Sequence, residues 1–284
     1  MTYDDLDRPP LDRDAIHDAL TREPGLWREV VVLDDSPSTN AVVGEAARDG
    51  AAEGLVVVAD HQTAGRGRLD RVWTTPPGTA VTVSVLLTPD RVPAARWPWL
   101  PLLTGVAVAE GVQRAAPVAA GVKWPNDVLI GERKVAGILV ERIERAVGPA
   151  AVVGIGLNVG TRADELAVPT ATSLALESPG GEGPDRTVVL REVLRTFAAL
   201  YEAWVGEHGD PERGLREAYV RRCVSLDRSV AVELPDGTTF DGRAVTVDPS
   251  GALVVEGRPR GGTGGLQRRA FHAGDVVHAR RGEA

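Results

Sequence analysis

The spacing of apolar residues along the chain changes near Val224. Before this point, apolar side chains recur at helical spacing over residues 189–204, which predicts a long amphipathic helix. After it, they alternate with polar side chains in three short runs within residues 230–256, and tight turns separate the runs. Short strands joined by tight turns predict a small β-barrel. We therefore predict two domains, residues 1–223 and residues 224–284.

The first domain combines predicted strands with predicted helices. A short apolar run bounded by turn residues indicates a buried strand, and apolar residues at helical spacing indicate a helix. These signals predict strands at residues 29–33, 55–59, 81–87, 122–123, 127–130, 134–143 and 151–156. They predict helices at residues 14–21, 41–47, 97–115, 189–204 and 211–220. Irregular segments are predicted at residues 1–13 (flexible), 176–186 (a loop) and 257–265 (a hairpin tip).

The composition excludes several classes of protein. The net charge of −8 disfavours non-specific adhesion to DNA or anionic lipid, so we expect no nucleic-acid partner and no membrane partner. Cys223 is the only cysteine, which excludes an internal disulfide and a zinc site built from several cysteines, and no metal-binding motif occurs. The longest apolar stretches, residues 79–87 and 100–112, are too short or too interrupted to span a bilayer. The acidic amino terminus lacks a signal-peptide core, and we expect a cytoplasmic protein.

Arginines and glycines are interleaved just after the predicted buried strand. Residues 60–73 contain Arg66, Arg68 and Arg71 among glycines and end at Trp73. Glycine lets backbone amides approach an anion, guanidinium groups add positive charge, and an aromatic ring can stack on a base. This pattern predicts a loop that binds the phosphates and the adenine of a nucleotide. A mobile surface turn and an Arg-Gly segment that touches nucleic acid are the alternatives.

Further clusters accompany this loop in a fixed order along the chain. They are Ser38-Thr39-Asn40, Lys123-Trp124-Pro125-Asn126-Asp127, the run Arg-Lys-Val-Ala-Gly-Ile-Leu-Val-Glu at residues 133–141, and Gly154-Ile155-Gly156-Leu157-Asn158-Val159. In this order the clusters resemble those of the biotin protein ligase family, over about residues 36–159, with a weaker similarity near the C-terminus. The resemblance implies an α+β catalytic domain similar to that of class II aminoacyl-tRNA synthetases, followed by a small SH3-like β-barrel.

The resemblance also implies a two-step reaction. Biotin is activated with ATP, supplied with Mg²⁺, to give biotinyl-5′-AMP and pyrophosphate. The biotinyl group then passes to a lysine on the biotin carboxyl carrier domain of acyl-CoA carboxylases. Fewer residues precede Ser38 than a winged-helix module needs, roughly sixty by analogy with helix-turn-helix units, so we expect a monofunctional enzyme. We expect it to be a monomer or a weak homodimer.

Specific residues acquire expected roles from this resemblance. The expected biotin contacts are Ser38, Thr39, Asn40, Gln62, Gly65, Arg66, Lys134 and Gly137. The expected ATP contacts are Arg68, Arg71, Trp73, Lys123, Asn126 and Asn158. The expected catalytic residues are Lys134, Arg68 and Asp127. Both reactants of the first step are anions, so the site must supply fixed positive charge. Asp127 is the candidate acceptor for the proton of the attacking lysine, whose unperturbed pKa is about 10.4.

Local patterns leave simpler roles open for three of these residues. Ser38 precedes a predicted helix, where a hydroxyl can serve as the amino-terminal cap alone. Lys134 is alternatively a solvated lysine on a hairpin, and Asp127 a turn residue after Pro125.

The chain departs from the family pattern at Asp70, where the family commonly carries glycine. A carboxylate at this position adds negative charge and reduces backbone flexibility beside the expected phosphate site. We expect the loop to be loose without ligand and to become ordered over the adenylate.

Other functions fit parts of the pattern. A lipoate protein ligase shares the implied fold and adenylate chemistry, but the loop at residues 65–68 and the motif at 123–127 favour biotin. A biotin-sensing DNA repressor is opposed by the acidic net charge. A β-barrel interaction module accounts only for the C-terminal part.

Overall fold

The structure, a computed structural model, describes residues 8–69, 71–234, 236–261, 265–272 and 274–278. Its helices are α1 (Arg13–Thr21), α2 (Thr39–Arg48), α3 (Trp99–Ala115), α4 (Leu174–Glu177), α5 (Arg186–Gly206) and α6 (Leu215–Arg222). Its strands are β1 (Glu29–Ser36), β2 (Leu55–Gln62), β3 (Gly65–Arg66), β4 (Val72–Trp73), β5 (Ala80–Leu87), β6 (Ala120–Lys123), β7 (Asp127–Ile130), β8 (Arg133–Ile143), β9 (Ala150–Asn158), β10 (Ser229–Glu233), β11 (Thr239–Val247), β12 (Leu253–Pro259), β13 (Gln267–Phe271) and β14 (Asp275–His278). None of the helices described here has both the length and the apolar character that crossing a membrane requires.

Seven strands form the larger sheet, in the order β1-β2-β5-β9-β8-β7-β6. Strand β1 runs parallel to β2, and the other neighbours pair in antiparallel fashion. Because side chains alternate along a strand, Val56 and Val58 of β2 face one core, whereas Leu55 and Val57 face another. Helices α3 and α5 contribute to the first core and α2 to the second. Burial of both faces explains why the central strands are nearly continuous apolar runs.

Every strand predicted in the first domain is present, with small differences in its bounds. Strand β2 extends beyond its predicted end and so includes Gln62. The predicted loop at residues 176–186 is wrong in part, because Ser173 caps the short helix α4 and a 3-10 turn follows it. The predicted single helix at residues 211–220 is also wrong. Gly214 has a φ of 113°, a left-handed conformation that separates a 3-10 turn from α6.

Five strands form a second, antiparallel sheet in the order β13-β12-β11-β10-β14. Its apolar side chains belong to the same core as α3 and α5. Trp99 Nε1 donates a hydrogen bond to Pro249 O at 3.0 Å, and Trp124 Nε1 donates to Gly251 O at 3.0 Å. Residues 262–264 of the predicted hairpin tip lie outside the described residues. The mixed sheet with its helices and this antiparallel sheet together confirm the predicted α+β class.

The amino-terminal segment contacts the rest of the molecule where the structure describes it. Asp12 caps α1, because its side chain accepts a hydrogen bond from Ala15 N at 2.9 Å. Arg186 Nη2, at the start of α5, donates to Pro9 O at 2.7 Å. Residues 1–7, which belong to the predicted flexible segment, lie outside the described residues.

Candidate active site

A cavity of about 470 Å³ is bounded by the start of α2, the β3–β4 hairpin, strands β8 and β9 and residues 161–171. The predicted site residues that line it are Ser38, Thr39, Asn40, Gln62, Arg66, Arg68, Arg71, Trp73, Asn126, Asp127, Lys134, Gly137 and Asn158. Gly65 and Lys123 are predicted site residues that do not line it. Segments far apart in the sequence therefore meet at one concave site.

Uncharged polar groups occupy one part of the cavity. Ser38 Oγ caps α2 by accepting a hydrogen bond from Ala41 N at 3.4 Å. Gln62 Oε1 accepts hydrogen bonds from Thr39 N at 2.7 Å and from Thr39 Oγ1 at 3.1 Å. Ser84 Oγ lies 2.7 Å from Thr39 Oγ1. Hydroxyl and amide groups can both donate and accept, so this part suits a neutral ligand group that does the same.

Asn40 is held by groups on three strands. Its Oδ1 lies 2.6 Å from Ser84 Oγ in β5, and its Nδ2 donates to Glu141 Oε2 in β8 at 2.7 Å. Gly154 in β9 provides the space, since an added Cβ would lie 2.1 Å from Asn40 Oδ1. Glu141 Oε2 also accepts a hydrogen bond from Arg66 Nη2 at 3.1 Å. The Glu141 carboxylate therefore connects α2 to the β3–β4 hairpin.

Ser84 and Glu141 are members of this network to which sequence reasoning assigned no role. Ser84 is fully buried within β5, where the neighbouring side chains are mostly apolar. A buried hydroxyl requires a partner, so a serine in such a run was a usable signal for a polar network. Glu141 gave a weaker signal, because a charged residue near the end of a strand is common on a protein surface.

Lys134 and Asp127 form an ion pair in the cavity, with Lys134 Nζ 2.6 Å from Asp127 Oδ1. Lys134 Nζ also lies 5.8 Å from the centroid of the Trp73 ring. Lys134 N donates to Thr170 O at 2.8 Å, and Lys134 O accepts from Thr172 N at 2.8 Å. The Lys134 side chain is 35% exposed, so a ligand in the cavity can reach it. These contacts oppose the interpretation of Lys134 as a solvated hairpin lysine.

The arginine loop (residues 65–73) is a short hairpin with β3 and β4 as its arms. Arg68 Nη1 donates to Asn126 Oδ1 at 2.8 Å, which holds the loop against the segment between β6 and β7. Arg66 and Arg71 line the same cavity as Arg68. Cationic groups that converge on one cavity favour an anionic ligand.

The Trp73 ring packs closely against the backbone at two glycines. An added Cβ at Gly156 in β9 would lie 2.5 Å from Trp73 Cε2, and one at Gly137 in β8 would lie 3.4 Å from Trp73 Cζ3. Trp73 Nε1 is buried and has no hydrogen-bond partner among the described residues. A buried N–H group without a partner is costly, so this position of the Trp73 ring carries a local energetic cost.

Gly65 and Asn158 contribute through their local geometry. Gly65 pairs with Trp73 across the arginine loop, where an added Cβ would lie 2.4 Å from Trp73 O. Glycine at this position lets the two arms of the hairpin approach each other. Asn158 is buried at the end of β9, and its Nδ2 donates to Thr172 O at 2.9 Å. It thereby holds the chain that closes one side of the cavity.

Two other predictions fall outside the cavity or outside the described residues. Lys123 lines a separate pocket of about 130 Å³, which shares Asn126 and Asp127 with the main cavity. Lys123 is therefore adjacent to the site, and its contact with ATP stays a prediction. Asp70 lies outside the described residues.

The carboxylates of the cavity are already paired. Asp127 contacts Lys134, and Glu165 accepts hydrogen bonds from Arg8. Over the described part of the chain, no three His, Cys, Asp or Glu side chains are grouped so that they could hold a metal ion. Both carboxylates that line the cavity therefore have cationic partners.

Two family models and several curated relatives match the chain. The Biotin/lipoate A/B protein ligase family matches residues 32–158, and the biotin protein ligase C-terminal domain matches residues 225–279. The chain is 37% identical to a biotin–[acetyl-CoA-carboxylase] ligase of Mycobacterium tuberculosis, over 99% of this chain and 100% of that protein. It is 36% identical to a bifunctional ligase/repressor of Bacillus subtilis, over 81% of this chain and 70% of that protein.

Solved structures share the fold. A biotin protein ligase from Aquifex aeolicus, in complex with biotin and ATP, superposes with a TM-score of 0.73 at 25% identity, over 89% of this chain and 100% of that chain. A biotin protein ligase from Leishmania major, in complex with biotinyl-5-AMP, superposes with a TM-score of 0.55 at 22% identity, over 85% of this chain and 98% of that chain. The second likeness concerns the fold alone.

Proposed function

The chain belongs to the biotin protein ligase family, and we propose that it attaches biotin to a lysine of a carboxylase carrier domain at the expense of ATP. The M. tuberculosis relative is named for acetyl-CoA carboxylase. We extend the substrate to the biotin carboxyl carrier domains of acyl-CoA carboxylases, as the sequence analysis predicts. The reaction proceeds through biotinyl-5′-AMP.

One arrangement carries this proposal, namely a single cavity in which neutral polar groups and cations are both present. Biotin has a neutral cyclic urea at one end and a carboxylate at the other. The urea matches the hydroxyl and amide groups of Ser38, Thr39 and Gln62. The carboxylate and the phosphates of ATP match the cations of Lys134 and the arginine loop.

In the first step, a carboxylate oxygen of biotin attacks the α-phosphorus of ATP. The bond from the α-phosphorus to the bridging oxygen breaks, and pyrophosphate leaves with the bonding electron pair. Because both reactants are anions, the reaction requires fixed positive charge where they meet. We assign Lys134 to the biotin carboxylate and the α-phosphate, since its ammonium is a compact charge. Arg68 and Arg71 are assigned to phosphate oxygens, which a guanidinium can bind with two parallel hydrogen bonds.

In the second step, the amine of the carrier lysine attacks the acyl carbon of the adenylate. AMP leaves with the electron pair of the acyl carbon–oxygen bond, and the amine loses a proton. We assign Asp127 as the acceptor of that proton, because its carboxylate lines the cavity and is oriented by Lys134 at 2.6 Å. The remaining polar residues bind and orient the two substrates.

We propose that Mg²⁺ enters as the complex with ATP. Mg²⁺ commonly keeps several water ligands and binds through substrate phosphates with one or two carboxylates. The cavity offers few carboxylates, and those it offers are paired with cations. Mg²⁺ bound to the triphosphate would offset part of its negative charge.

The organisation and partners of the chain complete the proposal. We propose a catalytic domain at residues 1–223 and a C-terminal domain at 224–284, because the larger sheet and the antiparallel sheet use separate parts of the chain. We further propose a monomer or weak homodimer that acts in the cytoplasm and has no nucleic-acid partner. The net charge of −8 supports the last point, since non-specific DNA binding requires an excess of cations.

The direct test is an assay of both steps with ATP, Mg²⁺, biotin and a carrier domain. Pyrophosphate release reports the first step, and transfer of radiolabelled biotin reports the second. Lys134→Ala should reduce pyrophosphate release by about 30-fold to 1,000-fold, which corresponds to the loss of about 2–4 kcal/mol of transition-state stabilisation. Arg133→Ala is the matched control, because Arg133 precedes Lys134 on β8 and pairs instead with Glu177 at 2.6 Å.

Calorimetric titration and the pyrophosphate assay together distinguish biotin from lipoate as the substrate. Calorimetric titration should show binding of biotin and much weaker binding of lipoate. A preference for lipoate, or pyrophosphate release that lipoate supports and biotin does not, would replace the proposal with a lipoate ligase. A biotin-dependent gel shift with DNA, in a protein that transfers no biotin, would favour a repressor.

A further inference from the structure

One side of the cavity is formed by the wall segment (residues 161–171). Its cavity-lining members are Thr161, Glu165, Leu166, Ala167, Val168, Thr170 and Ala171. Apart from a bridge between Ala171 and Lys134, these residues belong to no helix or strand. A segment without a regular ladder of backbone hydrogen bonds depends on a few individual contacts for a fixed position.

The carboxyl end of the wall segment is joined to Lys134. Thr170 O and Thr172 N form hydrogen bonds with the backbone of Lys134, both at 2.8 Å. Thr172 O also accepts from Asn158 Nδ2 at 2.9 Å. A displacement of this end of the wall segment would therefore move Lys134, one of the cations that line the cavity.

The middle of the wall segment is held by the amino-terminal segment. Arg8 Nη2 donates to both carboxylate oxygens of Glu165, at 2.6 and 2.8 Å. The side chains of Arg8 and Glu165 are 19% and 21% exposed, so solvent screens this pair less than an ordinary surface pair. Arg162 N donates to Glu165 Oε2 at 2.9 Å and completes the binding of the carboxylate.

The charge state of Glu165 is consistent with this pairing. Burial raises the pKa of Glu165, but the hydrogen bonds from Arg8 and Arg162 and the charges of both arginines outweigh it. The pKa of Glu165 therefore lies below its ordinary value, and the carboxylate is ionised at neutral pH.

Arg8 is itself fixed to the scaffold of the site. Its Cβ would lie 3.1 Å from a Cβ added at Gly78, so the Arg8 backbone packs closely on the turn before β5. The next residue, Pro9, accepts a hydrogen bond from Arg186 at 2.7 Å. Arg186 Nη2 also lies 2.7 Å from Asp60 Oδ1, on the strand that carries Gln62. The amino-terminal segment thus connects strand β2 to the wall segment.

We infer that Arg8 is a positioning residue, which holds the wall segment in the arrangement that retains the adenylate and keeps Lys134 in place. The catalytic consequence of this inference rests on the proposed function. The tether itself, which is the contact between Arg8 and Glu165, does not depend on it. Arg8 does not line the cavity, so it acts through Glu165 and not on the reacting atoms. The amino-terminal segment is in this sense a part of the active site.

The tether is tested first without any substrate. Amide hydrogen exchange of residues 161–171 should be at least about fivefold faster in Arg8→Ala than in the parent protein, as expected for loss of a local restraint. Glu165→Gln, which keeps the size of the side chain and removes its charge, should have the same effect. Unchanged exchange in both variants would overturn the inference, whether or not the protein is a biotin ligase.

The catalytic consequence is tested by retention of biotinyl-5′-AMP. Release of the preformed adenylate should be roughly fivefold to tenfold faster in Arg8→Ala, and KM should rise for both ATP and biotin, because Lys134 is assigned to both substrates. A general loss of folded protein would instead lower kcat and leave both KM values unchanged.

A charge exchange isolates the pair from other effects of the substitutions. Arg8→Glu and Glu165→Arg should each speed adenylate release, and the double variant should restore it to within about twofold of the parent. A double variant no better than the worse single variant would overturn the inference.

Arg13 provides a matched control in the same segment. Arg13 Nη2 forms an ion pair with Asp34 Oδ1 at 2.6 Å, away from the wall segment. Arg13→Ala should leave exchange of the wall segment and adenylate release unchanged, and an effect equal to that of Arg8→Ala would overturn the inference. If the parent protein forms no adenylate, the proposed function fails, while hydrogen exchange still decides on the tether.

Discussion

At the scale of single residues, the position of Asp127 places its carboxylate at the cavity and not at a turn. Asp127 is the first residue of β7 and is paired with Lys123 in β6 and Gly137 in β8. Its side chain contacts Lys134 Nζ at 2.6 Å, across the β7–β8 hairpin. A turn-capping aspartate would instead accept hydrogen bonds from the backbone two residues later. The carboxylate therefore faces the cavity, where the second step of the proposed reaction takes place.

Asp127→Asn should affect the transfer step more than the activation step. The amide cannot accept the proton of the attacking amine at neutral pH, so single-turnover transfer from preformed biotinyl-5′-AMP should fall about 100-fold or more. Pyrophosphate release should change less, because Lys134 keeps its charge. Rapid-quench assays with isolated adenylate measure the two steps separately.

Asp34→Asn is the control for this substitution, since Asp34 forms an exposed ion pair with Arg13. Its transfer rate should equal that of the parent protein. Unchanged transfer in Asp127→Asn, accompanied by slower activation, would remove the assignment of Asp127 as the proton acceptor and leave it a partner of Lys134.

At the scale of elements, strand β9 shapes the cavity by the side chains it lacks. Gly154 and Gly156 are two residues apart, so both face the same side of the sheet. Asn40 fills the space over Gly154, and the Trp73 ring fills the space over Gly156. The polar network and the aromatic ring therefore pack directly against the backbone of the strand.

Gly156→Ala should displace the Trp73 ring and weaken ATP binding roughly tenfold, since overpacking of a filled site costs about 1–3 kcal/mol. The added Cβ would lie 2.5 Å from Trp73 Cε2, and the ring must move. Calorimetric titration with ATP in the presence of biotin measures the loss. Gly160→Ala is the matched control, because the nearest atom to its added Cβ is 4.0 Å away and ATP binding should be unchanged.

The arginine loop should become protected when both substrates bind. Its arms are strands of two residues each, and Leu69 and Val72 are 62% and 76% exposed. Trypsin should cleave after Arg66 or Arg68 in the unliganded protein, and biotin with ATP should slow this cleavage roughly tenfold by favouring the closed loop. Mass spectrometry of the fragments identifies the sites. Cleavage at equal rates with and without both substrates would contradict the predicted ordering.

The sequence predicted the elements whose signals are local and missed those set by tertiary contacts. The apolar run that became β5 and the helical spacing of α5 were sufficient to place both elements. The break at Gly214 was missed, because the sequence does not reveal that this glycine takes a left-handed conformation. Of the 15 site residues predicted from the clustered motifs, 13 line the cavity, but the wall segment was not predicted. Ser84 was missed, since its role depends on a helix that approaches β5 only in the folded chain.

At the scale of the whole molecule, the segment between β6 and β7 serves both the cavity and the contact between the two sheets. The Asn126 and Asp127 side chains line the cavity, whereas Trp124 turns to the antiparallel sheet and donates to Gly251 O. Trp124 N donates to Ser225 Oγ at 3.2 Å. Because adjacent residues have these two roles, the antiparallel sheet supports the geometry of the active site.

His278 lies behind this segment, with Nε2 3.0 Å from Ser225 Oγ. Burial lowers the pKa of His278 to about 4, and repulsion from Lys123 and Arg228 adds to this effect, while Glu132 partly opposes it. The imidazole is therefore neutral in the folded protein at pH values where an ordinary histidine, with a pKa of about 6.5, begins to bind a proton.

The free energy of unfolding should therefore decrease as the pH falls from about 6.5 to about 4, because the unfolded chain binds a proton at His278 that the folded protein excludes. His278→Gln, which keeps a hydrogen-bonding group near Ser225 and does not titrate, should show a shallower decrease. The difference in slope is at most about 1.4 kcal/mol per pH unit, and solvent reduces it at this half-buried site. Urea unfolding between pH 7.5 and pH 4.5 measures both slopes. Above pH 7 the free energy of unfolding should depend on pH in the same way in both proteins, because the imidazole is then neutral in the folded and unfolded states. The same pH dependence below pH 6.5 as well would contradict a buried neutral His278.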